Sequence, residues 1–134
     1  MKKGDRVPIG FQAHYSGQDM KWTETYTGNT VIEAGERLFH RSSGKLKSFY
    51  PRATCFSFTP ESMSEYIFCL IPREAIKVSC FDGDEVRVDL EKYADCVDIF
   101  YIGTGTTEPI RDHLGRVVSR KTTLRILPGF EKCR

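Results

Sequence analysis

Val31–Tyr66 reads VIEAGERLFHRSSGKLKSFYPRATCFSFTPESMSEY, and the fold turns on how this stretch is read. Arg37-Leu38-Phe39-His40-Arg41 is a short apolar run ending in chargeable groups, which suits a strand. Ala53–Phe58 alternates Cys55, Phe56 and Phe58 with small polar residues, the pattern of a second, half-buried strand. Thr59-Pro60-Glu61-Ser62 then has the chemistry of a helix start. Thr59 can cap, Pro60 suits the first helical position, and Glu61 meets the positive end of the helix dipole. Two continuations are open. A helix over Pro60–Leu70 would turn Met63, Tyr66, Ile67 and Leu70 to the core. Alternatively, a short helix feeds a buried strand over Tyr66–Ile71, and six consecutive apolar residues bounded by Pro72 favour that version.

Outward from this stretch, the remaining elements are mostly strands. Arg6–Tyr15 is apolar enough for an edge or irregular strand, given Pro8 and Gly10. Ser16–Asn29 is polar and turn-rich, with Trp22 and Tyr26 as its large side chains. Ala75–Phe81 alternates, Asp82-Gly83-Asp84 is a hairpin turn, and Glu85–Leu90 returns with Val86, Val88 and Leu90 on one face. Cys96–Ile102 is a further strand, Gly103–Thr107 a flexible loop, and Val117–Leu127 supplies one or two last strands. The expected fold class is α+β: a compact β-rich single domain over residues 1–134, with six to eight short strands and one or two helices.

Composition narrows the function classes. The chain is 40% hydrophobic and 28% charged, an ordinary globular balance, and its net charge of +2 argues for neither a nucleic-acid binder nor a membrane-surface protein. No run approaches the roughly 20 apolar residues of a membrane-spanning helix. The five cysteines are odd in number and contain no C-x-x-C, and Cys55, Cys69 and Cys80 sit in apolar runs. That pattern points to a reducing, cytoplasmic setting without a disulfide framework. Three histidines without paired-ligand spacing give no expectation of a metal site. Basic residues concentrate around Lys45, Lys47 and Arg52 and again in the last quarter of the chain, where a phosphate-bearing ligand or a solvated face would both suit them.

The run GERLFHRSS, followed by a variable loop and ATCFSFTPESMSEY, resembles the NAD-binding half of ADP-ribosyltransferases, in the branch whose first motif is a His at a strand end. The likeness covers about a third of the chain and implies a small NAD-dependent mono-ADP-ribosyltransferase, of the type found among phage and toxin effectors, that modifies a host macromolecule with NAD as substrate. Under it, Glu85 and His40 are the catalytic pair, His40 holding the adenosine ribose and Glu85 stabilising the cationic transition state. The resemblance further implies that the Arg41 backbone takes the nicotinamide amide, Ser42 supplies a hydroxyl, Phe56 or Phe58 lines the nicotinamide pocket, and Tyr66 matches the helix tyrosine. Lys47 and Arg52 would meet the pyrophosphate.

A different class fits the same residues. A small cytoplasmic β-rich domain displaying Trp22, Tyr26, Phe49 and Tyr50 among basic residues can act as a non-enzymatic protein-binding module, since aromatic and basic side chains anchor interfaces. NAD separates the two: a binding module gains no stability from it and loses nothing on Glu85→Gln.

Overall fold

The structure is a computed structural model describing residues 2–10, 28–80 and 84–131. The described residues form eight strands: β1 (Gly28–Ile32), β2 (Leu38–Ser42), β3 (Ala53–Ser57), β4 (Glu65–Pro72), β5 (Ile76–Cys80), β6 (Glu85–Asp89), β7 (Val97–Arg111) and β8 (Val117–Ile126). They join in one sheet, in the order β1-β5-β6-β3-β2-β4-β7-β8. Every pairing is antiparallel.

The fold is therefore all-β, and the α+β expectation, with its one or two helices and its ADP-ribosyltransferase-like architecture, is corrected. Among the described residues there is no helix. At Thr59–Ser62 the helix-start chemistry is spent on a single turn, in which Met63 N–H donates to the Pro60 carbonyl at 3.0 Å. The chain then enters β4, whose residues pair with β2 on one side and β7 on the other. Aromatic and β-branched side chains buried on both faces of a central strand outweigh a local cap signal worth about 1 kcal/mol. The strand over Tyr66–Ile71 was the favoured continuation and is present as part of β4.

Strand alternation divides the apolar residues into two cores. One gathers Leu38, Phe49, Phe56, Phe68, Leu70, Val86, Val88, Ile99 and others, and the second gathers Phe39, Met63, Ile67, Cys69 and Ile102 on the reverse face. The first core contains Ile32 of β1 and Val97 of β7, which lie six places apart in the sheet order. At roughly 4.8 Å per strand a flat sheet would hold them about 29 Å apart. Among the described residues no helix or second sheet covers this face, so the sheet encloses it by curling on itself. The N-terminal segment helps close it: Val7 N–H donates to the Ile99 carbonyl and Gly4 N–H to the Tyr101 carbonyl, each at 2.7 Å. Arg6 and Arg73 both pair with Asp98 beside these bonds.

Several local expectations change. Gly103–Thr107 is part of β7 and not a flexible loop. The glycines there serve close packing, because a Cβ at Gly103 would overlap the Arg125 carbonyl and one at Gly105 the Met63 carbonyl. The one or two strands expected over Val117–Leu127 are a single strand, Val117–Ile126. Arg6–Tyr15 contributes isolated bridges at Arg6 and Ile9 rather than a strand over its described part, and residues 11–15 lie outside the described residues. Asp82 and Gly83 also lie outside them, as do His14, Trp22, Tyr26 and Cys133. The strands flanking the expected Asp82–Asp84 turn, β5 and β6, do pair antiparallel. Phe49, expected on the surface, is buried against Phe56 and Phe68, where its large apolar area is better spent than in water.

Candidate functional site

The central cleft lies on the reverse face, where β2, β3 and β6 run side by side. Ser57 pairs with Phe39 of β2 and with Glu85 of β6, so these three side chains form one row across the sheet. Arg41 stands two residues along β2 on the same face, and Cys55 two residues along β3. The turn carrying Ser62 and Met63 folds over them. Together they bound a cleft of ≈ 300 Å³, whose walls also include His40 and Phe56. Its floor is apolar, from Phe39 and Met63, and its rim carries one carboxylate and one guanidinium. No hydrogen bond or ion pair joins Arg41 or Glu85 to another described side chain, and both are exposed.

His40 belongs to the other side of the sheet. Its ring packs edge-on against Phe49 at 5.2 Å between centroids and lies 5.5 Å from Phe56, both members of the first core. β2 and β3 share a single registered pair, Phe39 with Ser57. Beyond it His40 Nδ1–H donates to the Cys55 carbonyl at 2.8 Å. A side chain thus replaces the strand-to-strand bond that a continued ladder would make, and it satisfies the carbonyl. That bond fixes the tautomer with the proton on Nδ1. Burial pushes the His40 pKa below its ordinary value; the bond to Cys55 opposes the shift and the Arg41 charge adds to it. The shift favours the neutral ring.

The residues that the transferase resemblance brought together therefore separate. Arg41 and Glu85 share the reverse-face cleft, and His40 and Phe56 form its wall while their rings pack into the first core. Ser42, Phe58 and Tyr66 lie on the first-core face, Ser42 opposite Tyr66 in the β2–β4 ladder. The Ser42 hydroxyl accepts from Gly44 N–H at 3.2 Å, and Tyr66 packs on Tyr101 with the Lys45 ammonium over both rings. Lys47 is exposed in the 43–52 loop, and the Arg52 guanidinium lies 5.3 Å from the Tyr50 ring centroid. The cleft keeps Ser57, a chemistry-bearing residue of the second strand, and adds Phe39, Cys55, Ser62 and Met63 to the candidate residues. For the strand residues the signal in sequence is the alternation Phe39/Arg41 and Cys55/Ser57; Ser62 and Met63, in the turn, carry none.

A second feature lies at the far end of the sheet. Beyond Thr106 on β7 and Thr123 on β8 the two strands leave the cores and continue as a ribbon. Ile110, Leu114, Val117 and Val118 are exposed there, Leu114 and Val118 to 64% and 62%. The tip is held by Asp112, whose carboxylate accepts from Leu114 N–H, Arg116 N–H and Arg116 Nε at 2.9, 3.0 and 3.0 Å. These bonds, the Arg116 backbone N–H foremost, hold the Asp112 pKa below the ordinary carboxylate value. Arg111 also donates to the Gly115 carbonyl at 2.8 Å.

No protein-family model, curated protein sequence or solved structure matches the chain. Among the described residues no group of His, Cys, Asp and Glu could hold a metal ion. No disulfide joins Cys55, Cys69, Cys80 and Cys96 to one another, and no described helix is long and apolar enough to cross a membrane.

Proposed function

We propose that the protein is a non-enzymatic, cytoplasmic protein-binding module whose contact element is the β7–β8 ribbon. The observation that carries this reading is the ribbon tip. Four aliphatic side chains stand in water on a two-stranded element whose turn is already fixed by Asp112. An isolated two-stranded ribbon is marginal in water, and a pre-ordered turn binds with little further entropy cost. The contact element is accordingly the ribbon rather than the aromatic loop, because Phe49 is buried and Tyr50 half-buried. The test is a photo-crosslinking residue at Leu114, compared in cells with the same residue at Lys77, an exposed site on β5. Discrete protein adducts at Leu114 and none at Lys77 are expected; equal patterns at both sites refute the reading.

The NAD reading draws on the cleft, where Arg41, Ser57 and Glu85 meet. In that reading Arg41 takes a phosphate and Glu85 faces the ribose cation during transfer to a host macromolecule, with His40 serving as the neutral wall. Millimolar NAD should then raise the unfolding temperature, and Glu85→Gln should abolish NAD cleavage while leaving the fold intact. A melting curve indifferent to NAD removes this reading and leaves the first untouched.

A further inference from the structure

Resting on the ribbon reading, we propose that its partner is a second copy of this chain, joined head to tail. The ribbon of one copy would dock on the groove between the N-terminal segment and the β6–β7 connection of the next.

Charge is the first argument. Between Thr104 and Ile126 the chain carries Arg111, Arg116, Arg120, Lys121 and Arg125 against Glu108 and Asp112, so 5 − 2 = +3. Between Asp84 and Cys96 it carries Asp84, Glu85, Asp89, Glu91 and Asp95 against Arg87 and Lys92, so 2 − 5 = −3. The two segments have equal and opposite charge and occupy different regions of the sheet. β8 is one end strand, while β6 is third from the other end. A patch and its complement on different parts of one molecule pair between copies as a heterologous contact, which closes into a ring or extends as a filament.

Shape and polarity are the second argument. Beside the acidic segment lies a groove of ≈ 370 Å³ lined by Val7, Pro8, Ile9, Ala94 and Val97, with Arg6 and Asp95 at its rim. Its chemistry suits the ribbon: an apolar floor beside the Asp95 carboxylate, with Arg6 held by Asp98, facing aliphatic side chains next to cations. Leu114 and Val118 would enter the groove while Arg120, on the same face of β8 as Val118, lies over Glu91 and Asp95. Arg120, Glu91 and Asp95 are all exposed. The outer edge of β8 adds a row of backbone donors and acceptors, since it ends the sheet.

Analytical ultracentrifugation of the full chain over a concentration series tests this. The expected result is a species heavier than the 15.3 kDa monomer that grows with concentration. It should dissociate between about 0.05 and 0.5 M NaCl, as screening shortens the reach of the charges. Leu114→Asp, which disables the ribbon, and Ala94→Trp, which fills the groove, should each be monomeric with a native melting curve. Their mixture should form a one-to-one dimer and nothing larger, because one working ribbon and one working groove remain. Arg120→Glu should be monomeric and regain assembly only when mixed with Glu91→Lys carrying Asp95→Lys. A monomeric wild-type chain at every concentration and salt overturns the self-association and leaves the ribbon to be judged by its crosslinks. Assembly that survives Leu114→Asp overturns both. A mixture that stays monomeric overturns the head-to-tail geometry.

Discussion

Gly105→Ala isolates the contact that roofs the cleft. Gly105 lies in β7 opposite Leu124, and its backbone is outside the left-handed region, so alanine meets no conformational penalty there. The added methyl would overlap the Met63 carbonyl oxygen and stand 3.1 Å from its carbon and 3.2 Å from Leu124 Cδ2. Carbon contacts relax to about 3.5–4.0 Å, so the turn over residues 60–64 must retreat by roughly 1 Å. Overpacking of this kind costs about 1–3 kcal/mol. Lifting Met63, now buried in the second core, forfeits part of the roughly 1.5–3 kcal/mol its burial supplies. Loss of glycine freedom in the unfolded chain returns about 0.5 kcal/mol. The expected loss is about 2–3 kcal/mol, or a fall of roughly 8–12 °C in Tm for a domain of this size. Urea and thermal denaturation followed by circular dichroism measure it. Gly44→Ala is the control: nothing lies within 4 Å of its Cβ and its φ is not positive. The reasoning is wrong if Gly105→Ala melts within about 2 °C of the wild type, a difference under the smallest overpacking cost.

Other outcomes follow from individual residues. Folded His40 binds its proton less tightly than the unfolded side chain, whose pKa is about 6.5, so the unfolded state gains protons first as the pH falls. The His40 contribution should be level above about pH 7 and decline from about 6.5 downward until the folded ring itself protonates; parallel pH profiles for wild type and His40→Phe over this range would defeat this. Glu65 holds a φ of 69° where the turn enters β4, so Glu65→Gly should be neutral or stabilising while Glu65→Val loses about 1 kcal/mol or more in urea titrations. Asp112→Ala should leave Tm unchanged but speed amide hydrogen exchange at Leu114 and Arg116, whose N–H groups it releases; unchanged exchange there would mean the carboxylate does not order the tip.

The strands whose side chains alternate were legible one at a time. Ile76–Cys80 and Glu85–Asp89 each show an apolar face with period two, and that face is the one buried. The expected helix is absent among the described residues for a local reason. Thr59, Pro60 and Glu61 state a helix start within four residues, while the competing instruction comes from partners at Leu38–Ser42 and Val97–Gly105. Gly103 and Gly105 were misread because a glycine tolerating a neighbouring backbone looks in sequence like a glycine permitting a loop.

The cleft shows what alternation within one strand leaves undetermined. His40 and Arg41 are adjacent, and either could face Glu85 until the register of β3 is known. Ser57 sits between Phe39 and Glu85, and that single alignment turns Arg41 toward the carboxylate and His40 away from it. A slip of one residue would exchange their places. Charge behaves in the same way. A total of +2 describes a nearly neutral chain, yet it contains a segment of +3 on a projecting ribbon and one of −3 beside an apolar groove. Net charge governs solubility, but an interface is felt within a Debye length of about 10 Å, so it is the placement of the segments in the sheet that decides what they can meet. If the ribbon and the groove bind one another, weakening either alone should be rescued by a partner that keeps the other, and that reciprocity is the property a chance distribution of surface charge would lack.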